Sequence, residues 1–452
     1  LGLDGAGGSV TANGGDVRVT NRGAAIVTRG GGSPALVTQS IGGGGGYLGS
    51  QQTMNRGGRL GSGSYNRNQL TEVPIPQLGS NYTLNSGAVE LTNRAEILTV
   101  GSTSPGVIAQ SVAGGGGVTG LILDGILTNG MNGPARASAG NVSVDNSGQV
   151  ITNGIGSSAL LAQSIGGGGG FSSADSNDEL FLGALYAQLA EAGDVVVSNS
   201  GNLQTSGEGS IGLLAQSIGG GGGANAYVNP DISVVNSDRL FLSSYFSNEG
   251  NSGDLTITNT SALIRTNANS SPGMLIQSVA GGGGWSALTG ETTANARLGS
   301  RGGTNAQAGD LNVSNSADVI TAGSNSHAIR LQSVGGGGGA ISALTNEMRM
   351  GSLNATGNLS GGSISLRNSG SVATSGDTSV GVNVLSLGGG GGTVFGGASK
   401  KVQMGTVTES AVVADAGSID VQQTGALIRT EGDGSSGLAM MSNGGGGGFI
   451  AN

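Results

Sequence analysis

Apolar and polar residues alternate in short stretches along nearly the whole chain. Val195-Val196-Val197-Ser198-Asn199, Leu255-Thr256-Ile257-Thr258-Asn259 and Ile364-Ser365-Leu366-Arg367-Asn368 carry the period of two expected of a half-buried strand. A second kind of stretch ends on a threonine (Leu263-Ile264-Arg265-Thr266), and a third leads to a serine (Leu213-Leu214-Ala215-Gln216-Ser217). Asn-Ser-Gly and Ser-x-Gly tripeptides separate them as turns. Further strand-like pieces follow, such as Leu180-Phe181-Leu182, Leu240-Phe241-Leu242, Met348-Arg349-Met350 and Val402-Gln403-Met404. The segment from Leu180 to Glu191 also fits a helical period, but its counterparts elsewhere do not, so it is read as strand.

These stretches recur as one unit. A glycine opens each copy, at Gly15, Gly87, Gly140, Gly193, Gly253, Gly309, Gly362 and Gly417. Six residues later stands Asn21, Asn93, Asn146, Asn199, Asn259, Asn315 or Asn368, with Gln423 in the eighth copy. A threonine follows by six or seven: Thr28, Thr99, Thr152, Thr205, Thr266, Thr321, Thr374 and Thr430. Twelve residues after each threonine comes a serine, at Ser40, Ser111, Ser164, Ser217, Ser278, Ser333, Ser386 and Ser442, and just behind it a run of four or five glycines. The cassettes span 15–46, 87–117, 140–170, 193–223, 253–284, 309–339, 362–392 and 417–448, in a single array over 1–452. Successive serines lie 53 to 71 residues apart, and spacers of 22 to 40 residues absorb the variation. Constant spacing inside the cassette marks one structural unit, with loops of different length outside it.

Short strands, turn residues between them and a strict repeat predict an all-β chain folded as a right-handed β-solenoid, or β-helix, of eight repeats. Such a unit cannot bury its apolar face alone; stacking supplies the core. The asparagine and threonine columns suit ladders of side-chain hydrogen bonds at the corners. At about two to three rungs per repeat and about 4.8 Å per rung, the rod is roughly 80–115 Å long. One long coil per repeat is the other solution, and gives a shorter, fatter body.

Composition narrows the class. Of 452 residues 95 are glycine, 38 of them in the eight runs, while cysteine is absent and aromatics number 13. Collagen is excluded, since glycine does not fall at every third position and prolines number only 7. Disulfide scaffolds and thiolate metal sites are excluded with cysteine; its absence fits passage through an oxidising periplasm. A net charge of −9 with only two lysines, Lys400 and Lys401, argues against nucleic-acid binding. No apolar run approaches the ~20 residues of a transmembrane helix. The chain opens at Leu1 without the features of a signal peptide, and is read as a mature fragment or part of something longer.

The glycine runs are the first candidate for function. A single run is a flexible linker, but eight at equivalent positions suggest an ordered glycine face along which solenoids pack or a partner docks. Gly44, Gly116, Gly168, Gly221, Gly283, Gly337, Gly390 and Gly446 mark that candidate face. Tyr47, Phe171, Trp285 and Phe449 directly follow runs. They are a candidate aromatic platform for sugars, against the simpler expectation that each ring packs inward over its run.

Catalytic chemistry has little to stand on. The one histidine, His327, lies in a turn segment and is read as a surface turn residue. Asp16, Asp194, Asp254 and Asp310 share one cassette position, with Asn141 replacing them in the third copy, so they read as turn formers bonding the local backbone. No catalytic residue, cofactor site or metal site is assigned.

The phrase Ala-Gln-Ser-Ile-Gly-Gly-Gly-Gly-Gly, at Ala162 to Gly170 and Ala215 to Gly223, resembles the glycine-rich repeats of large bacterial autotransporter passengers. The pattern from Val142 to Leu160 resembles the rungs of autotransporter and haemagglutinin-like adhesins. Together these motifs cover about Gly15 to Gly448. The resemblance implies export, with an outer-membrane translocator in the full-length protein, and display as a secreted or cell-surface adhesin. It implies a non-enzymatic role in adhesion, aggregation or biofilm. Its partners would be other copies of itself, a host or abiotic surface, or glycans. A polymerising extracellular filament subunit and a β-helical polysaccharide-active enzyme are the alternatives.

Overall fold

The computed structural model describes residues 10–49, 59–60, 82–120, 126–129, 135–173, 179–183, 187–226, 239–242, 250–291, 295–300, 302, 305–344, 347–395, 401–406, 412–424 and 427–451. Among the described residues every regular element is a strand. The strands pair in parallel with the equivalent strand one repeat away, so Val142 lies beside Val195, Gln110 beside Gln163 and Ser111 beside Ser164. The chain is a β-solenoid.

Each repeat makes one coil. Of the two solutions left open above, this is the single long coil: the strands of one cassette pair with the next cassette and not with each other. Eight coils at about 4.8 Å give a stack on the order of 35–40 Å tall.

In the fourth copy, a front-wall strand (Val195–Asn199) leads through a corner strand (Leu203–Thr205) into a core leaf (Leu213–Ile218). The glycine run then turns the chain into a return leaf (Gly222–Asn225), and the spacer adds a back-wall strand (Arg239–Leu242). Front wall, corner, core leaf and return leaf each form an eight-stranded sheet down the stack, and the back wall a seven-stranded one.

Packing follows from this order. Front-wall Val195 and Val197, corner Leu203 and core-leaf Leu213 and Ala215 share one apolar cluster with their counterparts in other coils. The opposite face of the core leaf, at Leu161, Leu214 and Leu275, packs on return-leaf Val118, Phe171 and Trp285. The other face of the return leaf meets the back wall, where Leu240, Leu242, Met348 and Met350 gather with Ile341 and Val394. Front-wall strands therefore alternate buried and exposed residues, whereas core-leaf strands in the second to seventh coils are buried throughout. Sheets covered on both faces lose the polar alternation, and the first half of the core leaf, as in Leu213-Leu214-Ala215, is apolar on both faces.

Polar columns set the register. Asn21 Nδ2 donates to Asn93 Oδ1, and the ladder continues through Asn146, Asn199, Asn259, Asn315 and Asn368 to Gln423 at 2.6–2.8 Å. A glutamine ladder runs from Gln39 to Gln332 at 2.5–2.8 Å. There Leu385 interrupts it, and Gln332 Nε2 turns to Thr393 Oγ1 at 2.8 Å. The serine ahead of each run is a clip: Ser217 Oγ donates to Gly193 O of its own coil and accepts the Gly253 N–H of the next. That clip fixes the distance between opening glycine and serine. The threonines do not ladder; Thr205 Oγ1 donates to Ser210 O at 2.8 Å within its own coil and folds the corner.

Candidate functional site

The glycine runs are interior. In the second to seventh coils all their residues are buried, so they form no outward face in the body of the stack. In six of the eight copies the last four positions of the run carry the conformational demand, as in Gly220 to Gly223 with φ from +77° to +140°; in the third copy it falls on Gly168 to Gly170. A Cβ on Gly222 would stand 2.0 Å from Gly283 O of one neighbouring coil, and one on Gly223 1.9 Å from Gly170 O of the other. These two positions aim up and down the stack, which only hydrogen tolerates. Ala113 and Ala280 occupy the first position of the two shorter runs, which lacks that demand.

Register separates the eight candidate glycines. Gly116 and Gly283 pair with Gly169 and Gly338, one residue beyond Gly168 and Gly337, because their runs are one glycine shorter. Gly44, Gly168, Gly221, Gly337, Gly390 and Gly446 share the bend position, all with positive φ. Gly44 and Gly446, in the outermost coils, are partly exposed. The bend packs against a second glycine column missed in the sequence reading: a Cβ on Gly337 would lie 2.6 Å from Gly299 Cα, and one on Gly390 2.7 Å from Gly351 Cα. The signal was a glycine after several of the spacer strands, at Leu298-Gly299, Met350-Gly351 and Met404-Gly405.

The four aromatic candidates line up on the face of the return leaf that meets the core leaf. Phe171 is 0 % and Trp285 2 % exposed, so neither offers a ring face to a sugar. Phe449 is half-buried, 6.3 Å from the Phe395 ring. Tyr47, 40 % exposed, donates its hydroxyl to Gly32 O, and burial raises its phenol above the ordinary range.

The aspartate column bonds backbone, but of the neighbouring coil: Asp194 Oδ1 accepts the Asp254 N–H, and Asp254 Oδ1 the Asp310 N–H. Among the described residues no three His, Asp or Glu side chains are grouped to hold a metal ion.

His327 is not the surface turn residue expected of it. It is fully buried at the start of the sixth core-leaf strand, where other coils place residues such as Ile211, because this turn delivers its side chain into the layer between core and return leaves. Its Nδ1 accepts the Val380 N–H at 2.8 Å, and its ring lies 3.8 Å from that of Phe395. Arg330, 1 % exposed, stands in the column of Leu161, Leu214 and Leu275, with its guanidinium carbon 4.4 Å from the same ring. Next in the column comes Asn383, 0 % exposed. Burial, and then the charge of Arg330, push the His327 imidazole well below its ordinary pKa; burial works likewise against the guanidinium.

The front wall presents a regular exposed side. In the fourth to sixth coils it carries Val196, Ser198 and Ser200; Thr256, Thr258 and Thr260; and Asn312, Ser314 and Ser316. All nine are exposed and none is charged. Charge returns at the wall's end, where Arg18 pairs with Glu90 at 2.7 Å and Arg94 with Asp145 at 2.6 Å.

The fold thus defines a β-solenoid with a double inner leaf. Comparison with family models, curated proteins and solved structures finds no match to this chain.

Proposed function

We propose that this chain is a non-enzymatic structural and adhesive solenoid of a bacterial surface protein, displayed outside the cell and acting in adhesion, aggregation or biofilm formation. The observation that carries this reading is the front wall. Its mostly hydroxyl and amide side chains repeat at the coil spacing beside the exposed column of Asp194, Asp254 and Asp310, backed by the asparagine ladder that locks each coil to the next. Each contact to a sugar, to another copy or to a surface is weak; many in register add up. The resemblance of the glycine repeats to autotransporter passengers supports display through an outer-membrane translocator.

The test displays the protein on cells with Ser198→Arg, Thr258→Arg and Ser314→Arg combined. These sites are exposed, so circular dichroism should keep its strand signal. Cell aggregation and retention on glycan-coated or abiotic surfaces should fall at least tenfold. Unchanged adhesion by a folded, displayed variant would overturn the reading.

A further inference from the structure

We propose that Arg330, Asn383 and His327 form an internal site for a small monovalent anion of the halide class. Five of their polar atoms have no hydrogen-bond partner: Arg330 Nε and Nη2, Asn383 Nδ2 and Oδ1, and His327 Nε2. Buried polar groups are normally satisfied, so this cluster calls for an occupant. Its polarity states which kind. Because His327 Nδ1 accepts the Val380 N–H, the proton of the neutral ring sits on Nε2. Four of the five atoms are then donors, and the one formal charge is positive.

No carboxylate answers Arg330; the ion pairs among the described residues all lie elsewhere. The groups converge. Arg330 and Asn383 are register partners on adjacent strands, and Arg330 and His327 approach the same Phe395 ring at 4.4 and 3.8 Å. The site is also sealed, since all three side chains are at most 1 % exposed. A sugar, a phosphate ester or a peptide has no way in, whereas a monatomic anion enters with small opening motions of the coil. Nothing about the solenoid demands this arrangement, because the same column holds Leu161, Leu214 and Leu275 in other coils.

The experiment follows thermal unfolding of the full chain at constant pH and ionic strength while gluconate is exchanged for chloride or bromide. A ligand bound only by the folded state raises the midpoint with the logarithm of its concentration. The wild type should gain several degrees, and Arg330→Leu, which restores the apolar column, should show none of that dependence. Equal halide responses in the two proteins would overturn the proposal. Should Arg330→Leu fail to fold, wild-type crystals grown in bromide decide. An anomalous peak within hydrogen-bond distance of Arg330 Nε or Nη2 supports the site; its absence, or water alone there, refutes it.

Discussion

The return leaf has two buried faces, and their character shifts along the stack. In the second to fifth coils the face toward the core leaf is apolar, with Val118, Phe171, Ala224 and Trp285 against Ile108, Leu161, Leu214 and Leu275, and the amides of the glutamine ladder that face it are paired with one another. The face toward the back wall is polar there, with Thr119, Ser172, Asn225 and Ser286. In the sixth and seventh coils the balance shifts, although Ala340 and Phe395 keep apolar groups in the inner layer. Ile341 and Val394 make the back-wall layer apolar, while Arg330, Asn383 and Thr393 occupy the inner layer. On a one-sided sheet, water decides which face is apolar. A sheet buried on both sides has no such arbiter, and the side chains stacked above and below in each column decide instead. What stays constant across both halves is the glycine bend.

That constancy yields the largest expected effect. Gly222→Val in one half and Gly338→Val in the other place a Cβ 2.0 Å from Gly283 O and 1.8 Å from Gly391 O, at φ of +138° and +143°. Each should exceed about 4 kcal/mol of destabilisation and abolish the cooperative unfolding of that region by circular dichroism. Ala280→Gly, at the permissive first position, should cost only about 1 kcal/mol. A folded Gly338→Val protein beside an unfolded Gly222→Val would show that the bend differs between the halves.

The second prediction breaks the comparison by transplanting a residue across it. Leu214→Arg sets a charge in the apolar inner layer, where leucine is 0 % exposed, and should cost about 3–5 kcal/mol. Arg330→Leu, the converse, should be neutral or stabilising in gluconate, because it removes an unpaired buried charge. Urea midpoints of the two variants check this, and a comparable loss in both would mean that the inner layer treats charge alike throughout.

These differences show what the residues disclose and what they conceal. The front wall was legible because Val195, Val197 and Asn199 alternate with solvent-facing residues, and periodicity reports burial when one face is wet. The spacing of 24 or 25 residues from opening glycine to serine, as from Gly193 to Ser217, was legible as a unit, and the serine clip is its physical cause. The number of coils per repeat was not. Parallel pairing between Leu213 and Met274 leaves no mark in either segment alone. The glycine runs were legible as ordered but not as interior, since glycine has no side chain whose polarity reveals its surroundings. The inner cluster was hidden for a related reason: Arg330 and His327 in a turn-and-strand segment carry the signature of a surface, and only the covering return leaf makes them buried.

The smallest effect sharpens the contrast through pH. His327 is held neutral in the fold by burial and by Arg330, the charged group beside it, so its folded pKa lies below its unfolded value of about 6.5. For a base with a lowered folded pKa, stability is intact above the unfolded pKa and is lost as pH falls below it, because only the unfolded chain takes up the proton. The slope is at most about 1.4 kcal/mol per pH unit for one such group, so moving from pH 6.5 to 5.5 should remove about 1 kcal/mol. His327→Asn keeps an acceptor for the Val380 N–H and should lose that increment, while the acid response of the carboxylates remains common to both proteins. Urea unfolding of the pair at the two pH values gives the difference. Parallel pH profiles would mean that the imidazole titrates alike in the folded and unfolded chains, and the sixth coil would then be as open to protons as the front wall.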